Sequence, residues 1–216
     1  DGVSVPNTEL VYRVHDLTPD QETTVVINCA GRTRSIIGAQ TLINAGLPNR
    51  VVALRGGTMG WRLAGFQLEN GTERSYGALS DEAKSKALCY AANMAEHFGV
   101  KSVDRSTFEA WQEDITRTTY VLDVRSQEEY EAGHMPGSTF APGGQLVQSC
   151  DQWCGVKGAR IVLIDDETNV RAITTAHWLL QMGWEVYALE GGIQNDGTET
   201  GMPKAPTLGL ETLVLE

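Results

Sequence analysis

A chain of 216 residues with 41% hydrophobic and 21% charged positions has room for one or two compact domains and enough apolar side chains for a core, which excludes a disordered chain. Its 17 Lys and Arg against 28 Asp and Glu give a formal charge of −11; so acidic a surface repels phosphate backbones, which excludes nucleic-acid binding as a main task and requires a local cationic site for any anionic substrate. The longest apolar run, Ala87 to Ala92, falls far short of the roughly 20 residues of a membrane helix, so no membrane role is expected.

In chain order, the first predicted strand is the β-branched run at 24–28, TVVIN. A helix follows over 36–46, with Ile36, Ala39, Leu42 and Ile43 at helical spacing as its core face, and after Gly46 comes a second strand at 51–54, VVAL. Residues 80–98 read as a longer helix. Ser80 is placed to cap it, Asp81 and Glu82 suit its positive end, Gly99 stops it, and Ala87, Tyr90, Met94 and Phe98 form a core-packing stripe. A short helix over 104–113 and a buried strand over 120–124 come next. The strand IVLI at 161–164, a helix near 172–182 and a strand over 185–189 complete the pattern. Strands alternating with helices of about ten residues argue for βαβ units, so the class is α/β with parallel sheets covered by helices.

The chain repeats itself. Pro6, Leu10 and Val11 recur as Pro142, Leu146 and Val147, Arg34 and Gly46 as Arg171 and Gly183, and Gly56 and Gly57 as Gly191 and Gly192. Three anchors at nearly one spacing imply two homologous units with small loop insertions.

The stretch NCAGRTRS at 28–35 carries the chemistry. Cys29 ends a strand just before a helix, where free backbone N–H groups and the helix dipole favour an anion. Such a thiol ionises easily, and Arg32 and Arg34 add fixed charge while Gly31 permits a tight curve. Cys29 is therefore the candidate nucleophile. A buried apolar cysteine after a strand would have apolar neighbours, and this one is followed mostly by Gly, Arg, Thr and Ser.

This loop, together with LRGGTMGW at 54–61, LDVRSQEEYEAGHMPGS at 122–138 and LEGG at 189–192, resembles the rhodanese-like sulfurtransferase family in tandem form. The resemblance implies a five-stranded parallel sheet flanked by helices in each unit, with the active loop between the fourth strand and the next helix. It places Cys29 at the persulfide-forming position. The six residues from Cys29 to Arg34 match sulfurtransferase members, whereas the phosphatase-like members have seven, usually preceded by His. The implied reaction moves a sulfane sulfur from thiosulfate or a similar donor to a thiol or cyanide acceptor. In it the N–H groups of Ala30, Gly31, Arg32, Thr33, Arg34 and Ser35 would hold the anionic sulfur, and Arg32 and Arg34 the donor. Arg34 is read equally well as a structural tie from loop to sheet. No cofactor and no metal are required. Asp123, Arg125 and His134 belong to the family's framework signature and are read as hydrogen-bonding residues of the second unit's own fold.

Three departures matter. The second unit's loop is DETNVR, with Asp166 where the cysteine should stand, so that unit is expected to be inactive, its carboxylates at 165–167 forming a solvated acidic loop. The first unit begins near the residue that would follow PG in the second, so it should lack its N-terminal strands. Asp196 stands where Trp61 predicts an aromatic residue. The resulting boundaries are 1–70 for the C-terminal part of a rhodanese-like domain with the active loop, 71–99 for a linker with a helix, 100–200 for the second domain, and 201–216 for a tail or linker. The open edge of the first sheet should be filled by the strand-like residues 211–216, by a second copy of the chain, or, as favoured, by a preceding segment of the same parent chain.

The remaining features read plainly. Cys150 and Cys154 lack the further ligands of a zinc site and are expected to pack. His15, His97 and His177 show no triad spacing, and Trp61 and Trp178 read as packing residues. Sparse cysteines and the absence of a visible signal peptide suggest a cytoplasmic protein. The rival to the sulfurtransferase is a noncatalytic scaffold or regulatory binding protein on the same fold; a phosphatase or arsenate reductase is disfavoured by loop length.

Overall fold

The fold is taken from a computed structural model, which describes residues 2–31, 33–71, 73–194 and 199–203. Arg32, Asp196 and residues 204–216, including the strand-like stretch at 211–216, lie outside the described residues.

The first unit opens with a 3-10 turn, Asn7–Glu9, that runs into α1 (Leu10–Leu17). Then come β1 (Val25–Ile27), α2 (Thr33–Asn44), β2 (Val51–Ala53) and α3 (Gly57–Leu63). After α4 (Asp81–Phe98) the second unit supplies β3 (Lys101–Val103), α5 (Arg105–Glu113), β4 (Thr119–Asp123) and α6 (Gln127–Ala132). It ends with β5 (Thr139–Phe140), α7 (Gly143–Gln148), β6 (Arg160–Ile164), α8 (Val170–Gln181) and β7 (Glu185–Leu189).

The second unit is a five-stranded parallel sheet in the order β3-β7-β6-β4-β5. Its central strand β6 is buried throughout, which is why its sequence is an unbroken apolar run with Arg160 at the rim. The first unit's sheet has two strands among the described residues, β1 and β2, parallel and in register Val25↔Val51. By the internal repeat β1 corresponds to β6, but β6 lies between β4 and β7 while β1 pairs with β2 alone. Val26 is accordingly 55% exposed. Among the described residues, the expectation that the first unit lacks the strands its repeat possesses is met.

Local chemistry sets α4. The Ser80 hydroxyl accepts the Ala83 N–H at 3.1 Å, and Gly99 closes the helix in the left-handed region at φ 69°. Its stripe of Ala87, Ala91 and Met94 is buried with Leu10, Val11, Leu42 and Val170, so the helix between the units is part of a core that both share. No helix among the described residues is long and apolar enough to cross a membrane.

One expectation fails. The buried face of α2 is Ser35, Gly38, Ala39, Thr41 and Leu42, whereas Ile36 and Ile43 are about half exposed at 50% and 49%. The reason is close approach: a Cβ on Gly38 would stand 2.8 Å from Leu10 Cδ1, so the helix meets its neighbours through small residues and its isoleucines point elsewhere. Trp61, read as a core or helix-packing residue, packs locally and outside the core. It is 38% exposed, lies against Phe66 with the rings tilted by 33°, and donates to the Gln67 carbonyl. Trp178 does pack between helices, donating to Thr41 Oγ1 at 2.8 Å and tying α8 to α2. Cys150 and Cys154 are buried in the second unit's core, as expected of packing residues.

Candidate active site

Cys29 sits between the end of β1 and the start of α2, half-buried and reduced, its thiol 3.5 Å from Ser35 Oγ. Burial works to raise its pKa. Hydrogen bonds from the Ser35 hydroxyl and N–H and from the Gly31 N–H, with the charge of Arg34, outweigh burial and bring the thiol below its ordinary value. Of the loop residues singled out from sequence, Gly31, Arg34 and Ser35 are thus the ones that favour the thiolate. Ser35 is buried, while Ala30, Thr33 and Arg34 lie at the exposed rim. The thiolate is expected to be alkylated by iodoacetamide with a midpoint below the free-cysteine value of about 8.5. A rate-against-pH series on intact protein checks this; a midpoint at or above that value would contradict the geometry.

The loop is braced from behind by α3. Thr58 N–H donates to the Cys29 carbonyl at 2.9 Å and Met59 N–H to the Ala30 carbonyl at 3.1 Å. Gly57 makes room for this: at φ 58°, a Cβ would lie 2.2 Å from the Cys29 carbonyl oxygen and 2.4 Å from that of Gly31. In the sequence Gly57 stands out as a repeat anchor and as part of LRGGTMGW, with no sign of its contact with the loop. Its repeat Gly192 does the same in the second unit, where at φ 58° a Cβ would lie 2.2 Å from the Asp166 carbonyl oxygen.

The second unit's loop is the solvated acidic loop expected only at Glu167, which is exposed and pairs with Lys84; Asp166 is half-buried and Asp165 is not solvated at all. Asp165 is fully buried, and Arg171 lies at its centre, 3% exposed. The guanidinium donates to Asp165 at 2.8 Å, to Glu9 at 2.9 Å, to Glu129 at 2.6 and 3.0 Å, and to Asp166 at 3.1 Å. Tyr12 donates to Asp166 at 3.0 Å and also touches Thr168. Burial pushes the Asp165 carboxyl up to about 6 against the pull of Arg171. Glu129 goes the other way: burial would raise it, but its hydrogen bonds and charge attraction to Arg171 prevail and take it down to about 2. The carboxylates looked solvated because each is charged, and the cation that repays their burial comes into place only through folding.

The framework residues behave as read. Arg125 clasps Asp123 at 2.7 Å and the Gly133 carbonyl at 2.8 Å, and His134 stacks on Tyr130 while bonding its carbonyl. His177 is fully buried, which pushes its pKa down to about 4. Among the described residues no group of three or more His, Cys, Asp or Glu is placed to hold a metal ion.

Residues 104–196 match the rhodanese-like domain family. A thiosulfate sulfurtransferase from Pseudomonas aeruginosa is 54% identical in sequence and superposes with a TM-score of 0.89 over 95% of this chain and 39% of its own. The present chain therefore spans about two fifths of the length of that relative. A protein from Bacillus halodurans (22% identity, 51% of this chain and 84% of its own, TM-score 0.41) and a rhodanese homolog from Thermus thermophilus (22% identity, 44% and 99%, TM-score 0.35) are more distant. No curated protein matches the chain.

Proposed function

Residues 104–196 belong to the rhodanese-like domain family, and from that premise we propose that the chain is a sulfurtransferase that moves a sulfane sulfur from thiosulfate or a similar donor to a thiol or cyanide. The observation that carries this reading is the Cys29 thiol between β1 and α2, 3.5 Å from Ser35 Oγ, with its pKa lowered by the Ser35 and Gly31 hydrogen bonds and Arg34. The Cys29 thiolate attacks the outer sulfur of the donor. A bond forms between Sγ and that sulfur, the bond to the sulfonate breaks, and the electron pair leaves with sulfite. The acceptor thiolate or cyanide then attacks the outer sulfur of the persulfide, and Cys29 departs as thiolate. The loop N–H groups stabilise the anionic sulfur in both steps, because their dipoles point at it before charge develops.

Arg34 is exposed at the loop rim, where its charge reaches both Cys29 and an arriving anion. In a chain of net charge −11 it supplies local attraction, which supports the donor-binding role over the structural one. The second unit has no thiol at Asp166, and we take it as catalytically inactive. Four reduced cysteines suit a cytoplasmic enzyme with small-molecule donor and acceptor. The boundaries at 70, 100 and 200 are proposed with it. The test is mass spectrometry of the chain after thiosulfate treatment and proteolysis. The peptide holding Cys29 should gain one sulfur atom, and no other peptide should. A Cys29 peptide unchanged by thiosulfate would favour the noncatalytic binding protein.

A further inference from the structure

Between the two loops lies one short segment, residues 7–12, that touches both. At its start, Asn7 Nδ2 donates to the Arg34 carbonyl at 3.0 Å, in the first turn of α2 beside Ser35. The same amide and Leu10 rest on Gly38, where a Cβ would stand 3.2 and 2.8 Å from them. Two residues on, Glu9 is 3% exposed and its carboxylate is divided between Arg171 at 2.9 Å and Arg13 at 2.9 Å. Beneath the turn, Gly143 and Gly144 of α7 admit Thr8 and Asn7, since Cβ atoms there would come within 2.5 Å of Thr8 Cγ2 and 2.6 Å of Asn7 Cβ. The turn is thus clamped from the second unit and leans on the turn that carries the Cys29 hydrogen-bond partner.

We propose that Glu9, gripped by Arg171 of the loop without a cysteine, is a positioning residue for the Cys29 loop, acting through Asn7 and the first turn of α2. This rests on the reading of Cys29 as nucleophile. It gives the inactive loop a task in the reaction: its arginine anchors the brace against which the active loop is shaped. A rigid brace is needed because the N–H groups of Gly31 and Ser35 stabilise the thiolate only while they point at Sγ, and that aim is lost with small displacements.

The experiment uses Glu9→Gln, which keeps the shape and removes the charge, Asn7→Ala, which keeps the Cβ against Gly144, and the double variant. The readouts are the pH profile of Cys29 alkylation by iodoacetamide, kcat and KM for thiosulfate, and a denaturant titration to confirm folding. Each single variant should raise the Cys29 midpoint by about one unit, roughly a tenfold loss of thiolate at a pH well below it. The double variant should do no more than either single one, because both break the same connection. The sign is diagnostic for Glu9→Gln. Removal of a negative charge by itself would lower the thiol midpoint, so a rise reports loosened N–H groups. Folded variants with the wild-type profile, a fall on Glu9→Gln, or fully additive effects would each overturn the inference. Alkylation needs no sulfur donor, so a chain that forms no persulfide but shows these shifts fails the sulfurtransferase reading while supporting the brace. A chain that forms persulfide with unshifted variants does the reverse.

Discussion

Cys29→Ser is expected to bring thiosulfate-dependent sulfur transfer to background, a loss of roughly 10³-fold or more, as for removal of other enzymic nucleophiles. A serine hydroxyl is not ionised near neutral pH and cannot accept sulfur to form a persulfide. The substitution is nearly isosteric, and the brace from Thr58 and Met59 grips the backbone at 29 and 30 rather than the side chain, so the loop should keep its shape and the variant its stability. Cys89 provides the comparison, because it is exposed on α4, outside the loop. Cys89→Ser should retain most of the turnover. Steady-state sulfite or thiocyanate release measures both, and substantial activity in Cys29→Ser would move the nucleophile elsewhere.

Arg171→Leu is expected to cost about 3–5 kcal/mol of unfolding free energy near pH 7, because it strands buried carboxylates without a cation. Asp165 is fully buried and cannot recover its lost partner from water, whereas Glu9 keeps Arg13 at 2.9 Å. The loss should shrink as pH falls. In the wild type Glu129, held near 2, contributes stability that is complete above its unfolded value and is lost as pH drops toward 2. In the variant the stranded carboxyls bind protons more tightly folded than unfolded, so their protonation stabilises the fold as pH falls through and below about 6, the value to which burial pushes Asp165 even beside Arg171. Denaturant titrations at pH 7 and pH 4 compare the two proteins. A gap below about 1 kcal/mol at pH 7, the size of an exposed pair, or a gap that widens on acidification, would show that Arg171 is not the compensating charge.

Much of this molecule is written in short-range chemistry, and that part was legible. The run at 161–164 is continuous and apolar because a central parallel strand is buried on both faces, and it became β6. Ser80, Asp81, Glu82 and Gly99 specify the ends of α4 through their own backbone interactions, which need no partner from elsewhere. The Cys29 loop was found for the same reason: a thiol after a strand, then Gly31, Ser35 and arginines, meets the start of a helix within a few residues. The repeat also exposed the open side of β1, because one unit of the chain displays the strands that the other does not pair with.

What the sequence alone determined was therefore the alternation of β1, α2 and β2 with β6, α8 and β7, the helices α4 and α5 and the strand β4, together with the pairing of the two units as copies; α1, α3, β3, α6, β5 and α7 had no such local signal. Tertiary structure decided which charges are buried and which apolar residues are not. Ile36 and Ile43 have the spacing of a core face, yet α2 approaches its neighbours at Gly38, so small residues took that face. Asp165, Asp166 and Glu167 form an acidic run by composition, and only the fold brings Arg171 together with Glu9 from 162 positions away and Glu129 from 42. A guanidinium's partners depend on its position in space, and no local pattern encodes which distant carboxylates arrive there. Nor does a pattern say that Gly57 has the Cys29 carbonyl 2.2 Å from its absent Cβ. Burial of charge and close backbone contact are properties of surfaces pressed together, and they exist only once the chain has folded.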